Sequence, residues 1–262
     1  MILWKHELRM NKKVLLFWSF GVGIICFGCL LLFESLADTI AQMAGFYASL
    51  GMFAKAFGMD RLNIGTVEGF YATEIAMVFS IGGAMFAAQI GASLLAKEEE
   101  GHTGEFLHTL PFTRTAVVGW KYLAMLAMLL VFQMICMLWE LAGMALIGGM
   151  PNLKSYVWYH AAQILLQFEV GSICFLISAI SRKKQLGGVF SLAVFLYLAD
   201  MLCRVIPGIE WLKYVTPYYF SNAADIFTKG RPDAVLAAVC CAVTVLTGIG
   251  ALVVYKRRDL AS

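Results

Sequence analysis

The chain has 262 residues, 61% of them hydrophobic and 14% charged, with a mean hydropathy of +0.78 and a formal net charge of +3. A soluble domain carries about 45–50% apolar residues, so this composition excludes a water-soluble fold. The length holds about six lipid spans of ~20 residues each and leaves no room for a separate soluble catalytic domain.

The first apolar run covers residues 14–33 and follows Lys5, Arg9, Lys12 and Lys13, which keep its leading end in the cytoplasm. Ser35-Leu36-Ala37 resembles a cleavage site, but the run exceeds the ~7–15-residue core of a signal peptide, and a retained signal anchor is expected. Residues 34–74 form the longest polar-leaning connection, expected outside the membrane. Phe46, Tyr47, Leu50, Phe53, Ala54 and Phe57 recur there at helical spacing, as in a helix lying on the membrane surface. The second span covers 75–96 and carries ladders of small residues, Gly83, Ala87 and Gly91 on one line and Ser80, Ala84, Ala88 and Ala92 on another. Such a face packs closely against another helix, in the same subunit or a second one.

A polar hairpin follows over 97–121, and then a third span over 122–147 that ends at Gly148-Gly149-Met150-Pro151. The fourth span, 158–180, returns to the basic knot Ser181-Arg182-Lys183-Lys184. The fifth, 186–206, stops at Pro207-Gly208 and opens a second extracytoplasmic segment over 207–233. The sixth, 234–254, precedes Lys256-Arg257-Arg258. On this layout thirteen of the twenty Lys and Arg residues fall inside, as the positive-inside rule requires. The expectation is an all-α integral membrane protein of six transmembrane helices, N- and C-termini cytoplasmic, in a bacterial cytoplasmic (inner) membrane. Nearly all seven cysteines fall in apolar runs, where cysteine packs as a small hydrophobe. Cys26-Phe-Gly-Cys29 lies in mid-span, without the setting of a redox motif.

The hairpin is the most informative stretch. Glu98, Glu99, Glu100 and Glu105 surround an apolar stripe of Phe106, Leu107 and Leu110, with Arg114 beyond. Gly101 and Gly104 permit a sharp reversal, Pro111 ends a short helix, and Thr113 or Thr115 caps the helix that follows. An acidic rim around an apolar knob suits docking into a groove on a soluble partner; an ordinary solvated loop has the same composition. His102 and His108 flank the stripe at no zinc-ligand spacing.

Glu100-Gly101-(x)3-Glu105-Phe106-Leu107-(x)2-Leu110-Pro111-(x)2-Arg114, with Lys121 following, resembles the ABC-2 type ABC transporter permeases. The six-span layout, Leu212-Lys-Tyr-Val-Thr-Pro-Tyr-Tyr-Phe220 and the tail Tyr255-Lys-Arg-Arg-Asp-Leu260 are similar to that family as well. The resemblance implies a membrane-spanning exporter subunit that joins a second permease, identical or homologous, and a pair of cytoplasmic ABC ATPase subunits. ATP and Mg would be bound by the ATPase and no cofactor by this chain. Consistently, no Gly-x-x-x-x-Gly-Lys-Ser/Thr motif occurs in it. The hairpin would then be the coupling helix, with Arg182 and Lys183 in a second, smaller contact. Residues 1–13, with Leu3, Trp4 and Leu8 beside Lys5, Arg9 and Lys12, would be a cytoplasmic interface helix. The path would run between permease subunits, lined chiefly by spans one, two and five.

Ionisable groups inside spans cost at least ~2.5–3.5 kcal/mol on insertion scales, so each calls for a reason. Glu140 and Glu169 lie in the third and fourth spans, Glu169 near Gln163 and Gln167, and Asp200 and Arg204 share a face of the fifth at i, i+4. Interhelical hydrogen bonding, an interfacial ion pair and a binding or gating role all fit these positions. No HExxH motif or compatible Ser/His/Asp set supports a membrane hydrolase. The rival readings are an ion-gradient-driven secondary carrier, which calls for helix breaks in matched halves, and a non-transporting membrane scaffold or sensor. The transported substrate stays open between amphipathic or apolar molecules and sodium.

Overall fold

In the computed structural model the described residues are 2–101 and 113–257. Among them, six helices are long and apolar enough to cross a membrane, the number expected. The first, α1 (Ile2–Ala48), is one uninterrupted helix of 47 residues. At 1.5 Å per residue it is about 70 Å long, more than twice the ~30 Å hydrocarbon core. The sequence reading divided this stretch into an interface helix, a span and the start of a loop. The structure runs these stretches together as one helix, which no proline interrupts: the first proline in the chain is Pro111. Val22, Cys26, Leu30 and Phe33 form the buried stripe of α1, while Phe17, Ile24, Ile25 and Leu32 stay exposed on its other side.

A turn through Gly51 leads into α2 (Met52–Phe57), which ends at Gly58 in the left-handed region (φ 78°). A side chain at Gly58 would also lie 2.3 Å from the Ala224 Cβ, so glycine serves both the turn and the packing there. Ala54, Met59 and Ile64 bury themselves against Ile40, Tyr47 and Leu50, so this stretch packs on the end of α1, while Phe46 and Phe53 remain exposed.

The second crossing begins at α3 (Val67–Phe70), where the Thr66 side chain accepts from the Gly69 amide at 3.1 Å. It widens into a π turn (Tyr71–Ile75) and continues as α4 (Ala76–Leu94). A short α5 (Ala96–Glu100) follows after a break at Leu95. The Ser178 hydroxyl holds that break by accepting from the Leu95 and Ala96 amides at 3.1 and 2.9 Å. Then come α6 (Arg114–Ile147), capped by Thr113, and α7 (Leu153–Ile180), capped by Asn152. Next are α8 (Leu186–Val205), a 3-10 turn (Glu210–Tyr214), α9 (Ala223–Lys229) and α10 (Ala234–Arg257).

α1 packs chiefly on α6, α7 on both α4 and α10, and α8 on α4, which makes α4 the centre of the bundle. Its small residues explain this. A Cβ on Gly91 would stand 2.3 Å from the Gly171 carbonyl oxygen, and one on Gly83 2.8 Å from the Gln167 amide nitrogen, so Gly83, Ala87 and Gly91 are consumed inside the subunit against α7 and α6. They are not free to form a face for a second copy.

The stretch after α8 is not a simple loop. Within the expected extracytoplasmic segment, residues 216–227 fold back against the bundle, with Thr216, Tyr218, Phe220, Ser221 and most of α9 buried. Thr216 donates to the Leu196 carbonyl at 2.7 Å, and Gln163 donates to the Ser221 carbonyl at 3.1 Å. Buried backbone that is neither helix nor strand is tolerated only where protein groups satisfy it.

Candidate functional site

Three polar assemblies stand out. The first lies at the foot of the hairpin. Lys121, near the start of α6, is fully buried, and its ammonium donates to Glu7 Oε1 at 2.5 Å, to Glu98 Oε1 at 2.7 Å and to the Leu94 carbonyl at 2.9 Å. Lys97 donates to the other Glu7 oxygen at 2.5 Å. Lys97, before residues 102–112, and Lys121, after them, are thus both clamped to α1 by one carboxylate. Buried charges survive only when paired and hydrogen-bonded in this way.

Around this clamp lie the remaining described residues of the expected coupling surface. Glu100 meets Lys184 at 3.5 Å, joining the hairpin to the basic turn, in which Arg182 and Lys183 are exposed. Arg114 donates to the Lys256 carbonyl at 3.4 Å, so the end of α10 arrives there too. Gly101 is exposed at the end of α5, beside Glu99. Glu105, Phe106, Leu107, Leu110 and Pro111, with His102 and His108, lie outside the described residues. Sequence reasoning missed Glu7 and Lys97 as clamp members. A signal existed, because Glu7 is the one acid in a basic segment and shares the face of Leu3 four residues earlier.

The second assembly is near the opposite end of the bundle. Asp200 and Arg204 pair at 2.9 Å as their spacing predicted, but Arg204 also donates to Asp225 Oδ2 at 2.5 Å and to the Tyr219 carbonyl at 3.0 Å. Arg61 donates to the other Asp225 oxygen. The network pins the re-entrant stretch to α8 and to the turn after α2. Burial pushes the Asp225 carboxyl up, yet Arg204, Arg61 and Lys229 outweigh it and hold the carboxyl below the ordinary aspartate range. Asp200 lines a cavity of about 30 Å³ with Thr73, Ser80, Tyr197, Tyr218 and Asn222, between the second crossing, α8 and the re-entrant stretch.

The third assembly lies inside the bundle. Glu140 Oε2 accepts from Tyr71 at 2.8 Å and from Tyr156 at 3.2 Å, and lies 3.1 Å from His160 Nε2. His160 Nδ1 is 2.7 Å from Gln133 Nε2, and Gln133 Oε1 accepts from Gln167 at 2.9 Å. The spacing of Tyr156, His160, Gln163 and Gln167 marks a polar stripe on one face of α7, a signal that could have placed His160 beside Glu140. Glu169 belongs to none of these assemblies. It is buried on α7 beside Cys240 of α10, near Thr216 and Phe220 of the re-entrant stretch.

Comparison with known proteins agrees with this layout. A family model described as "ABC-2 family transporter protein" matches residues 1–260. No curated protein gives a significant match.

Proposed function

Because the chain belongs to the ABC-2 family of transporter membrane proteins, we propose that it is the permease subunit of an ATP-driven exporter, coupled to separate ATPase subunits. In this reading a pair of cytoplasmic ABC ATPases binds ATP and Mg, and a second permease, identical or homologous, completes the path. The chain itself performs no catalysis. The complex sits in a bacterial cytoplasmic membrane, and the end of the bundle that carries Glu7, Lys97, Lys121, Lys184 and Lys256 is cytoplasmic.

The observation that carries the proposal is the buried Glu7–Lys121–Glu98 clamp. A hairpin that only had to close a loop would need no ionic anchor to a helix about 70 Å long. With the anchor, a displacement of the hairpin by a closing ATPase is passed to α1 and α6 together, and through their packing to the rest of the bundle. The cavity beside Asp200 lies between α4 and α8, on the helices that the family's path would use. A second subunit would meet the exposed apolar faces of α1 and α8, which include Phe17 and Phe195, since the glycine face of α4 is already covered.

The test is association. The chain should co-purify with a Walker-A-containing ATPase, and Glu105→Arg combined with Leu107→Asp should abolish that association while the permease stays folded. Retained binding in the double variant would overturn the coupling assignment.

A further inference from the structure

Glu140 is the one acid in α6 and is fully buried, and among the described residues no lysine or arginine pairs with it. The ionisable groups that face it are Tyr71 from the π turn, Tyr156, Tyr159 and His160 from α7, Cys136 from its own helix and Cys26 from α1. Only His160 could offset a negative charge, and its hydrogen bonds argue against that role. The Gln133 amide nitrogen can only donate, so His160 Nδ1 must accept. With the Gln133 amide nitrogen turned toward Nδ1, it is Nε2 that faces Glu140 as a donor, at 3.1 Å. In the same orientation the Gln133 amide oxygen accepts from Gln167 at 2.9 Å.

The two carboxylate oxygens are treated differently. Oε2 has Tyr71, Tyr156 and His160 around it, whereas Oε1 is buried with no partner among the described residues. An anionic carboxylate with one bare oxygen and no counter-charge is costly in an apolar interior. A proton on Oε1 removes the charge and leaves the donors on Oε2 in place. A metal cation would need several more oxygen ligands, and among the described residues no three His, Cys, Asp or Glu side chains converge on one point.

We propose that Glu140, held by Tyr71, Tyr156 and His160, is an intramembrane proton-binding site whose loading acts on the π turn of the second crossing. Tyr71 opens that turn, and Ala72 and Thr73 within it line the cavity beside Asp200. A proton taken from water forms the O–H bond at Oε1, and its return to water breaks the bond. Tyr71 donates to a charged group in one state and to a neutral acid in the other, and π turns are common where a helix changes shape at a functional site. The inference needs no ATPase and so stands apart from the exporter reading.

The experiment is infrared difference spectroscopy on the full chain in lipid nanodiscs between about pH 5 and about pH 9. The wild-type chain should show a carboxylic-acid C=O band in the acid state that Glu140→Gln removes. Tyr71→Phe, which takes away one donor to Oε2, should strengthen that band at a given pH, and it keeps the test open if Glu140→Gln fails to fold. Identical bands in the wild type and both variants would overturn the proposal. Loss of the band on adding sodium at fixed pH would overturn it as well, by reassigning the site to a metal cation.

Discussion

The Lys121 ammonium lies 2.5 Å from Glu7 Oε1, across 114 residues of sequence, and neither side chain reaches solvent. Removing one partner leaves the other with its remaining ion pair, Glu7 with Lys97 or Lys121 with Glu98, so the cost falls short of the ~3–5 kcal/mol of a wholly uncompensated buried charge. Lys121→Met and Glu7→Gln should each destabilise the chain by about 1–3 kcal/mol. The double variant should be less damaged than the sum of the two, because both single changes remove the same contact. Denaturant titration of the wild type and the three variants in one detergent measures the coupling directly. Additive losses would mean that the clamp is not a unit.

Arg204 offers a geometric test of the second network. Its guanidinium reaches Asp200, Asp225 and the Tyr219 carbonyl, and it lies 4.4 Å from the centre of the Tyr219 ring. A lysine keeps the charge but cannot present the planar fork. Arg204→Lys should therefore cost about 2 kcal/mol, the scale of a lost charge-assisted hydrogen bond in a buried setting. Limited proteolysis should find the stretch 207–233 more readily cut in that variant.

The position of Asp225 predicts a pH dependence with a definite sign. Its carboxyl is held below the ordinary aspartate range by Arg204, Arg61 and Lys229 against the opposing effect of burial. A depressed folded-state value contributes stability that is complete above the unfolded value of about 3.9 and is lost as pH falls through the folded value. Melting temperature should therefore drop on acidification below about pH 4 through this group. Asp225→Asn should be less stable at neutral pH and should flatten that acid limb. An acid limb of unchanged steepness in the variant would contradict the assignment.

What the sequence revealed followed the range of each interaction. The six crossings announce themselves because lipid demands long apolar runs, and Asp200 and Arg204 pair as a four-residue spacing on a helix dictates. The partners that turn this pair into a network, Asp225 and Arg61, come from other elements and leave no local trace. The unbroken length of α1 was obscured by the charges between Lys5 and Lys13, which resemble a surface segment although no residue there stops a helix. The re-entry of residues 216–227 was hidden for a related reason. Pro217, Tyr218 and Tyr219 look like loop and interface residues until Gln163 and Leu196 are found satisfying the backbone and side chains around them. His160 could have been found from the polar stripe on α7, whereas the bare oxygen of Glu140 could not.

The centre of the bundle gives the sharpest steric prediction. A Cβ at Gly91 would lie 2.3 Å from the Gly171 carbonyl oxygen and 3.0 Å from the Phe175 backbone nitrogen, so two helix backbones would have to separate. At Gly83 the nearest atom belongs to the Gln167 side chain, and at Gly21 no atom lies within 4 Å. Overpacking of a close-packed interface costs about 1–3 kcal/mol when the backbone must move. Gly91→Ala should fall in that range, Gly83→Ala should be milder because a side chain can shift, and Gly21→Ala should be neutral or slightly stabilising through its helix propensity. The ordering matters more than the sizes, because α4 carries Gly91 on its contact with α7 and leads into α5 and the hairpin. If the α4–α7 contact transmits motion from the hairpin, Gly91→Ala should also lower ATPase-driven transport, while Gly21→Ala leaves it unchanged. Equal stability of Gly91→Ala and Gly21→Ala in denaturant would show that α4 and α7 do not meet as closely as 2.3 Å implies.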